Sequence, residues 1–168
     1  MERRYILSVL VDNRSGVLAR ISGLFSRRGY NIISLTVGET LDSSLSRMTI
    51  ELFGDAHILE QIKKQLAKLV EVRKISEVDV ANAVFRELLL VKVRAAEGDR
   101  ANIIGICNVF RANIVDLSPT TATIEMTDTV RKNDSLIEIL KDYGIMETAR
   151  TGIAGLQLGE TTLEGNGK

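Results

Sequence analysis

The alternation of apolar and polar positions predicts four elements in the first forty residues of the chain. Residues 5–11 form a nearly continuous apolar run, which is typical of a central strand. A helical stripe of apolar side chains follows over residues 17–25, and Gly29 is suited to end that helix. Residues 31–37 are again apolar and are predicted to form a second strand. A turn of polar residues, 12–16, joins the first strand to the helix.

A third strand is indicated by strict alternation of apolar and polar residues. Its apolar positions, which are expected to face the core, are Met48, Ile50 and Leu52. Its polar positions, which are expected to face water, are Arg47, Thr49 and Glu51. A second helical stripe covers residues 58–69. A last strand is predicted over residues 70–80, with a bulge near Ile75 where the alternation slips.

The second half of the chain repeats this order of elements. Residues 88–93 match the first strand, residues 103–110 give a helical stripe, and Asn113 opens a strand as Asn31 does. Two tandem ferredoxin-like βαββαβ domains are therefore predicted, an α+β fold with antiparallel sheets and helices on one face. The predicted domains are residues 1–81 and 82–158, with a seam near 82–87 and a flexible tail over 159–168.

The second strand is expected to lie at the edge of the first sheet. Residues 31–38 contain no proline and no charge, so this apolar edge must be covered or paired. Pairing with the same strand of a second copy predicts a homodimer with one continuous sheet across a two-fold axis. Asn31 of one subunit would then lie near the turn of Asn13 and Gly16 in the other.

The chemistry of that turn points to an amino-acid ligand. The carboxamides of Asn13 and Asn31, with the free N–H groups of a helix start at Gly16, suit a molecule that carries both a carboxylate and an ammonium group. A simpler interpretation stays open, in which Asn13 and Gly16 only cap and start the helix and Asn31 is a turn residue.

Composition narrows the classes of function. Lysine plus arginine equals aspartate plus glutamate at 22 each, and there are few aromatic residues, so a nucleic-acid partner is disfavoured. The chain shows no leader and no long apolar run, so export and membrane insertion are not expected. The lone Cys107 fits a reducing cytoplasm and lies on a core stripe, and the single His57 has no partners for a metal or catalytic site.

Several runs of residues resemble one known family. These are Asn13-x-x-Gly16-Val17-Leu18, residues 24–32 (LFSRRGYNI), residues 45–50 (LSRMTI), residues 86–93 (RELLLVKV) and residues 149–153 (ARTGI). They are similar to the ACT domain and, more closely, to the small regulatory subunits of acetolactate synthase. The resemblance covers the chain up to about residue 159.

The resemblance implies a noncatalytic regulatory subunit without a cofactor of its own. Its larger partner would hold thiamine diphosphate, magnesium and FAD and would make acetolactate, an early step toward valine, leucine and isoleucine. The small subunit would raise the partner's activity and make it sensitive to valine. Carried over by position, the effector-binding residues are Asn13, Gly16 and Asn31, with an aliphatic wall from Val17, Leu18, Ile32 and Ile33.

The second half departs from this pattern. Its corresponding turn carries Glu97 and Asp99, which would repel a carboxylate, so no second amino-acid site is expected there. An alternative that stays open is a stand-alone amino-acid sensor that regulates a different enzyme or a transcription factor. The long hairpin over residues 38–46 is a candidate contact surface for a partner.

Overall fold

The computed structural model describes residues 3–163, which form two compact units. One unit holds the described residues up to Val84 together with those from Ile153 onward, and the other runs from Phe85 to Gly152. The sequence instead grouped residues 153–158 with the second domain. The predicted limits at 81/82 and 158/159 stay predictions, and residues 164–168 of the predicted tail lie outside the described residues.

The first unit has the βαββαβ order. Its elements are β1 (Arg3–Asp12), α1 (Val17–Arg27), β2 (Ile32–Glu39), β3 (Leu45–Gly54), α2 (Ala56–Leu66) and β4 (Val72–Glu77), followed by a 3-10 turn at Val80–Asn82. The sheet order is β2-β3-β1-β4, and each pairing is antiparallel. Alternate residues of β1 and β3 pack against both helices in one core, which includes Leu7, Ile21, Phe25, Ile50 and Ile62.

The second unit repeats that order and sheet arrangement. Its elements are β5 (Ala83–Arg94), α3 (Arg100–Phe110), β6 (Asn113–Leu117), β7 (Thr121–Asp128), α4 (Val130–Leu140), a 3-10 turn (Lys141–Tyr143) and β8 (Ile145–Arg150). The strand order is β6-β7-β5-β8, and a further short strand, β9 (Ala154–Gln157), belongs to the first unit. The predicted fold class, two tandem ferredoxin-like α+β units, is confirmed.

Two glycines set the ends of α1. Gly16 precedes the helix with φ of 85°, and Gly29 follows it with φ of 68°. Both values lie in the left-handed region, which glycine enters without steric cost. The prediction that Gly29 ends this helix is confirmed, since the N–H of Gly29 donates to the carbonyl of Ser26.

The prediction of a solvent-exposed polar face on β3 is wrong for two of its three residues. Thr49 is 4% exposed and Glu51 is 1% exposed. Residues from Ile153 onward return to this face: the Arg47 guanidinium donates to the Gly155 carbonyl at 3.1 Å. Glu51 is ion-paired with Arg4. A segment more than a hundred residues away therefore covers part of a face that local alternation assigned to water.

The β4 bulge also differs from its predicted place. The register of β1 against β4 shifts between Leu10 and Val11, which leaves Arg73 as the extra residue on β4, two positions before Ile75. Among the described residues, no helix combines the length and the apolar character needed to cross a membrane.

Candidate functional site

The turn between β1 and α1, residues 13–16, is fastened to the β2–β3 hairpin through Asn13. The Asn13 backbone N–H donates to the Ser44 carbonyl at 2.7 Å. Its side-chain Nδ2 donates to Glu39 Oε2 at 3.0 Å and to the Ser43 carbonyl at 2.9 Å. The interpretation in which the Asn13 side chain caps α1 is therefore wrong, because its amide is engaged across the hairpin.

The start of α1 has no side-chain cap. Gly16 is the N-cap residue, and it has no side chain to accept from the first-turn amides, whereas Asp55 caps α2 and Thr129 caps α4. A Cβ built on Gly16 would meet no atom within 4 Å, so the space beside the turn is open. The partial positive charge of a helix N-terminus, with N–H groups directed outward, suits an anion.

Ion pairs formed by Asp12 with Arg14 and Arg73 stabilise the turn at the end of β1. Asp12, the last residue of β1, is buried and accepts from Arg73 Nε and from Arg14 Nη2, each at 2.6 Å. The hydrogen bond from Arg73 is the main cause that lowers the pKa of Asp12 below its ordinary value. Arg20 of α1 also pairs with Glu71 at 2.6 Å. The position of the turn is thus fixed by contacts from the hairpin and from β4.

The four aliphatic residues assigned to a ligand wall are placed differently from one another. Val17 is 5% exposed and belongs to the core between sheet and helices. Ile32 is partly buried against that core. Leu18 and Ile33 are 45% and 49% exposed. Leu18 and Ile33 are therefore the side chains accessible to a ligand, whereas Val17 is buried and its backbone N–H donates to the Arg14 carbonyl at 3.4 Å.

One chain does not bring Asn13 and Asn31 together. Ile32, next to Asn31, lies opposite Leu52, which lies opposite Tyr5 near the start of β1. Glu39 lies opposite Ser46, which lies opposite Val11 beside the turn. At 3.2–3.4 Å per residue, the seven steps from Ile32 to Glu39 separate the two asparagines by about 23 Å.

A concave surface of about 610 Å³ adjoins the turn. It is lined by Asp12, Asn13, Arg14 and Arg73 on one side and by Asp42, Ser44 and Leu45 of the hairpin on the other. Neither Gly16 nor Asn31 belongs to this lining. Of the residues assigned to the effector, this concave surface is lined by Asn13 alone.

Sequence reasoning missed Glu39, Ser43 and Arg73, which hold the turn in place. The only feature of the sequence that pointed to these contacts was the length of the β2–β3 hairpin. At the tip of this hairpin, Asp42 accepts a hydrogen bond from the Ser44 N–H at 2.9 Å. Cys107 is in the core as predicted, and burial raises the pKa of its thiol. Within residues 3–163, no cluster of three or more His, Cys, Asp or Glu side chains is arranged to hold a metal ion.

Family models match both units of the chain. Residues 7–74 match the AHAS small subunit-like ACT domain, and residues 86–159 match the small subunit of acetolactate synthase. Together they span most of the sequence.

Individual relatives agree over nearly their full lengths. The chain is 48% identical over 158 residues to the acetolactate synthase isozyme 3 small subunit of Salmonella typhimurium, covering 94% of this chain and 97% of that one. It is 46% identical over 160 residues to a probable acetolactate synthase small subunit of Methanothermobacter thermautotrophicus, covering 95% of each. The crystal structure of the Thermotoga maritima acetolactate synthase small subunit superposes with a TM-score of 0.88 at 41% identity, covering 94% of this chain and 98% of that one. With both units matched by family models and relatives matched at these identities, the chain belongs to the family of acetolactate synthase small subunits.

Proposed function

We propose that this chain is the noncatalytic regulatory subunit of an acetolactate synthase in branched-chain amino-acid biosynthesis. In this proposal it activates the catalytic large subunit and makes it sensitive to valine. Thiamine diphosphate, magnesium and FAD belong to the large subunit, and the complex works in the cytoplasm. Family membership supports the existence of the large partner, and the turn at Gly16 supports the sensing role.

The observation that carries the sensing role is the uncapped start of α1 beside Asn13. A ligand carboxylate can approach the first-turn amides because Gly16 has no Cβ and leaves open space. The helix macrodipole adds about 0.3–1 kcal/mol of stabilisation for an anion at this position. Leu18, 45% exposed on the same turn of helix, offers apolar contact to a branched side chain.

The β2 edge supports a homodimer. β2 is the outer strand of the order β2-β3-β1-β4, and after a register shift at Ile33 it runs regularly from Ser34 to Glu39. It has no lysine, arginine or proline, the residues that commonly protect an edge strand from pairing. Val37 is 42% exposed on it. A second copy that pairs with this strand would extend the sheet across the two subunits.

Antiparallel pairing of two β2 strands also completes the site. Asn31 and Asn13 lie at opposite ends of the sheet in one chain. A two-fold axis through the middle of β2 moves the partner's Asn31 to the end that carries Glu39, and Glu39 contacts Asn13. We infer that each effector binds between Asn13 and Gly16 of one subunit and Asn31 with Ile32 and Ile33 of the other.

The testing experiment is acetolactate formation by the large subunit, titrated with this chain with and without valine. We expect a saturating rise in rate that valine reverses. A rise that valine leaves unchanged would contradict the effector site and keep the activator. No rise with the matching large subunit would contradict the regulatory role here and favour a sensor with a different client enzyme or transcription factor.

A further inference from the structure

Helix α3 carries no charged side chain after its first residue. Residues 101–110 contain no lysine, arginine, histidine, aspartate or glutamate. The other three helices each carry charges, such as Arg20 in α1, Lys64 in α2 and Asp134 in α4. A helix at the surface of a globular domain usually combines an apolar stripe with a charged face, whereas a helix that is uncharged all round is typically covered on more than one side.

The burial of α3 separates two faces of the helix. Ile103 and Cys107 are buried in the core of the second unit. On the other side, Ile104 is 43% exposed and Val109 is 80% exposed. The exposed residues that share this side have the spacing i, i+3, i+4, i+7 and i+8 and form the α3 stripe: Ala101, Ile104, Gly105, Asn108 and Val109. An uncharged surface of this kind indicates a contact with another protein.

The centre of the α3 stripe is open. A Cβ built on Gly105 would meet no atom within 4 Å. Because glycine lies between Ile104 and Val109, the stripe has a low centre with larger apolar side chains on either side. Small residues at a contact allow two helix axes to approach to about 8 Å, the lower end of the usual range. The shape of the stripe therefore suits a second helix.

The charges at the two ends of α3 are opposite in sign. Glu97 and Asp99 precede the helix, and Arg111 follows it. In the described part of the chain, none of these three side chains forms an ion pair. The Arg100 guanidinium, the remaining charge at the first end, donates to the Pro119 carbonyl. Two copies of α3 packed antiparallel would set the acidic end of each against Arg111 of the other, whereas parallel packing would set like charges together.

From the uncharged stripe, its open centre and its oppositely charged ends, we propose that α3 packs antiparallel against α3 of a second copy of this chain. A two-fold axis through the middle of the stripe makes the contact isologous, so each contact between acid and base occurs twice. A stripe of two turns buries less area than the about 1,000 Å² of a strong specific interface, so the contact is weak, reversible and formed at high protein concentration. It uses residues of the second unit only, and it adds an association step to the proposed pairing of β2 strands.

Gly105→Glu tests the interface by placing a charge at the centre of the α3 stripe. The position is helical with open space beside it, and glutamate is a better helix former than glycine, so the fold is retained. Sedimentation equilibrium of the full chain, up to about millimolar concentration, is the readout. We expect Gly105→Glu to remove one association step, whether that step starts from monomers or from β2 dimers. The matched control, Ile139→Glu, places the same charge at an exposed position of α4 and should associate like wild type.

Charge reversal tests the antiparallel arrangement and serves also if Gly105→Glu fails to fold. Asp99→Arg and Arg111→Asp each replace attraction by repulsion in both halves of the contact, so each should weaken self-association by about fivefold or more. Aspartate is tolerated at position 111, where φ is 57°. An equimolar mixture of the two variants restores opposite charges in both halves, so mixed dimers should form within about threefold of the wild-type affinity.

Self-association of Gly105→Glu that equals wild type would overturn the inference, and weaker activation of the large subunit by that variant would then assign the α3 stripe to the large subunit. A mixture of the two charge variants that associates no better than either variant alone would exclude the antiparallel pairing. Neither result bears on valine binding or on activation by the wild-type chain, so the proposed function is tested separately.

Discussion

The two units share one topology but differ at the turn that follows their first strand. In the first unit β1 ends at Asp12, and the turn reaches an uncapped helix through Gly16. In the second unit β5 ends at Arg94, and the helix begins after Asp99, whose side chain makes no cap. The N-cap residue is therefore an acid in the second unit and a glycine in the first. The fold repeats while the chemistry at the helix start is inverted.

The edge strands of the two units also differ, in their length and in the regularity of their pairing. β2 has eight residues and six of them follow its bulge in regular register, whereas β6 has five residues with the shift between Ile114 and Asp116 near its middle. A short, bulged strand with a charge is a poor template for pairing with a second copy. The two units therefore share the pattern of buried residues that produces their common fold. They differ at the turn after the first strand and at the edge strand, where the two units can serve different functions.

The largest expected effect is on valine affinity, and it distinguishes the turn before α1 from the turn before α3. Gly16→Asp should weaken valine binding by about 100-fold or more, because a carboxylate then lies where the ligand's own would bind. Since φ at Gly16 is 85°, Gly16→Asn is the control that keeps a similar shape and backbone preference without charge. Gly98→Asp, at an equally open glycine of the second unit, should change nothing. Calorimetric titration with valine checks all three, and full sensitivity in Gly16→Asp would show that the site lies elsewhere.

A second prediction separates the two edges. Val37→Lys should convert the proposed dimer to monomers, because a charged side chain at the exposed edge of β2 opposes strand pairing. Leu117→Lys, on the exposed edge strand of the second unit, should leave the dimer intact. Sedimentation velocity of the full chain distinguishes the species. A dimer that survives Val37→Lys but not Leu117→Lys would reverse the comparison.

A third prediction concerns a buried polar network found in the second unit. Asn133 is fully buried and donates to the Glu87 carbonyl at 3.1 Å and to Glu87 Oε2 at 3.0 Å. Asn133→Ala should lower the free energy of unfolding by about 1–3 kcal/mol, because it removes a partner of a buried carboxylate. Thermal unfolding measures this, with exposed Ser135→Ala as the control on the same helix. Valine binding should be unaffected if the first unit alone carries the site.

The smallest effect is a difference in response to acid. Because the pKa of Asp12 is lowered in the folded state, chiefly by Arg73, its contribution to stability is fully present above the unfolded value. That contribution is lost as the pH falls below about 4 and through the folded pKa. The protection factors of the amides of residues 13–17, which remove the intrinsic pH dependence of exchange, should therefore fall in acid for wild type, and Asp12→Asn should show a flatter pH response. An unchanged response in Asp12→Asn would exclude this ion-pair group as the cause.

The sequence was sufficient for features that depend on near neighbours. Both helices of the first unit follow from apolar stripes with a period of 3.6 residues, and Gly29 is needed where the backbone turns left-handed after α1. The predicted ACT-type fold was also accessible, because two similar repeats each require the same burial pattern. These features place Gly16 and Asn13 in one turn without any knowledge of the rest of the chain.

Features that depend on distant residues were not accessible in this way. The contact of Asn13 with Glu39 joins positions 26 apart, and the bond of Arg47 with Gly155 joins positions 108 apart. Val17 was expected both on the helical stripe and on a ligand wall, and its helical position directs its side chain to the core. The hydrophobic pattern of an element predicts which of its residues share a face. Whether that face is buried depends on contacts with segments far away in the sequence, which the pattern does not reveal.

The return of Ile153 and its successors to the first unit has a consequence during protein synthesis. The helix-covered face of the first sheet can pack once Val84 has left the ribosome, but the opposite face, where Arg47 contacts Gly155, waits for a segment about 70 residues later. At about 5–20 residues per second, the nascent first unit spends roughly 4–14 s with that face uncovered. The first unit is thus the earliest to begin folding and among the last to be completed. During this interval its uncovered sheet face is a surface that a chaperone can bind.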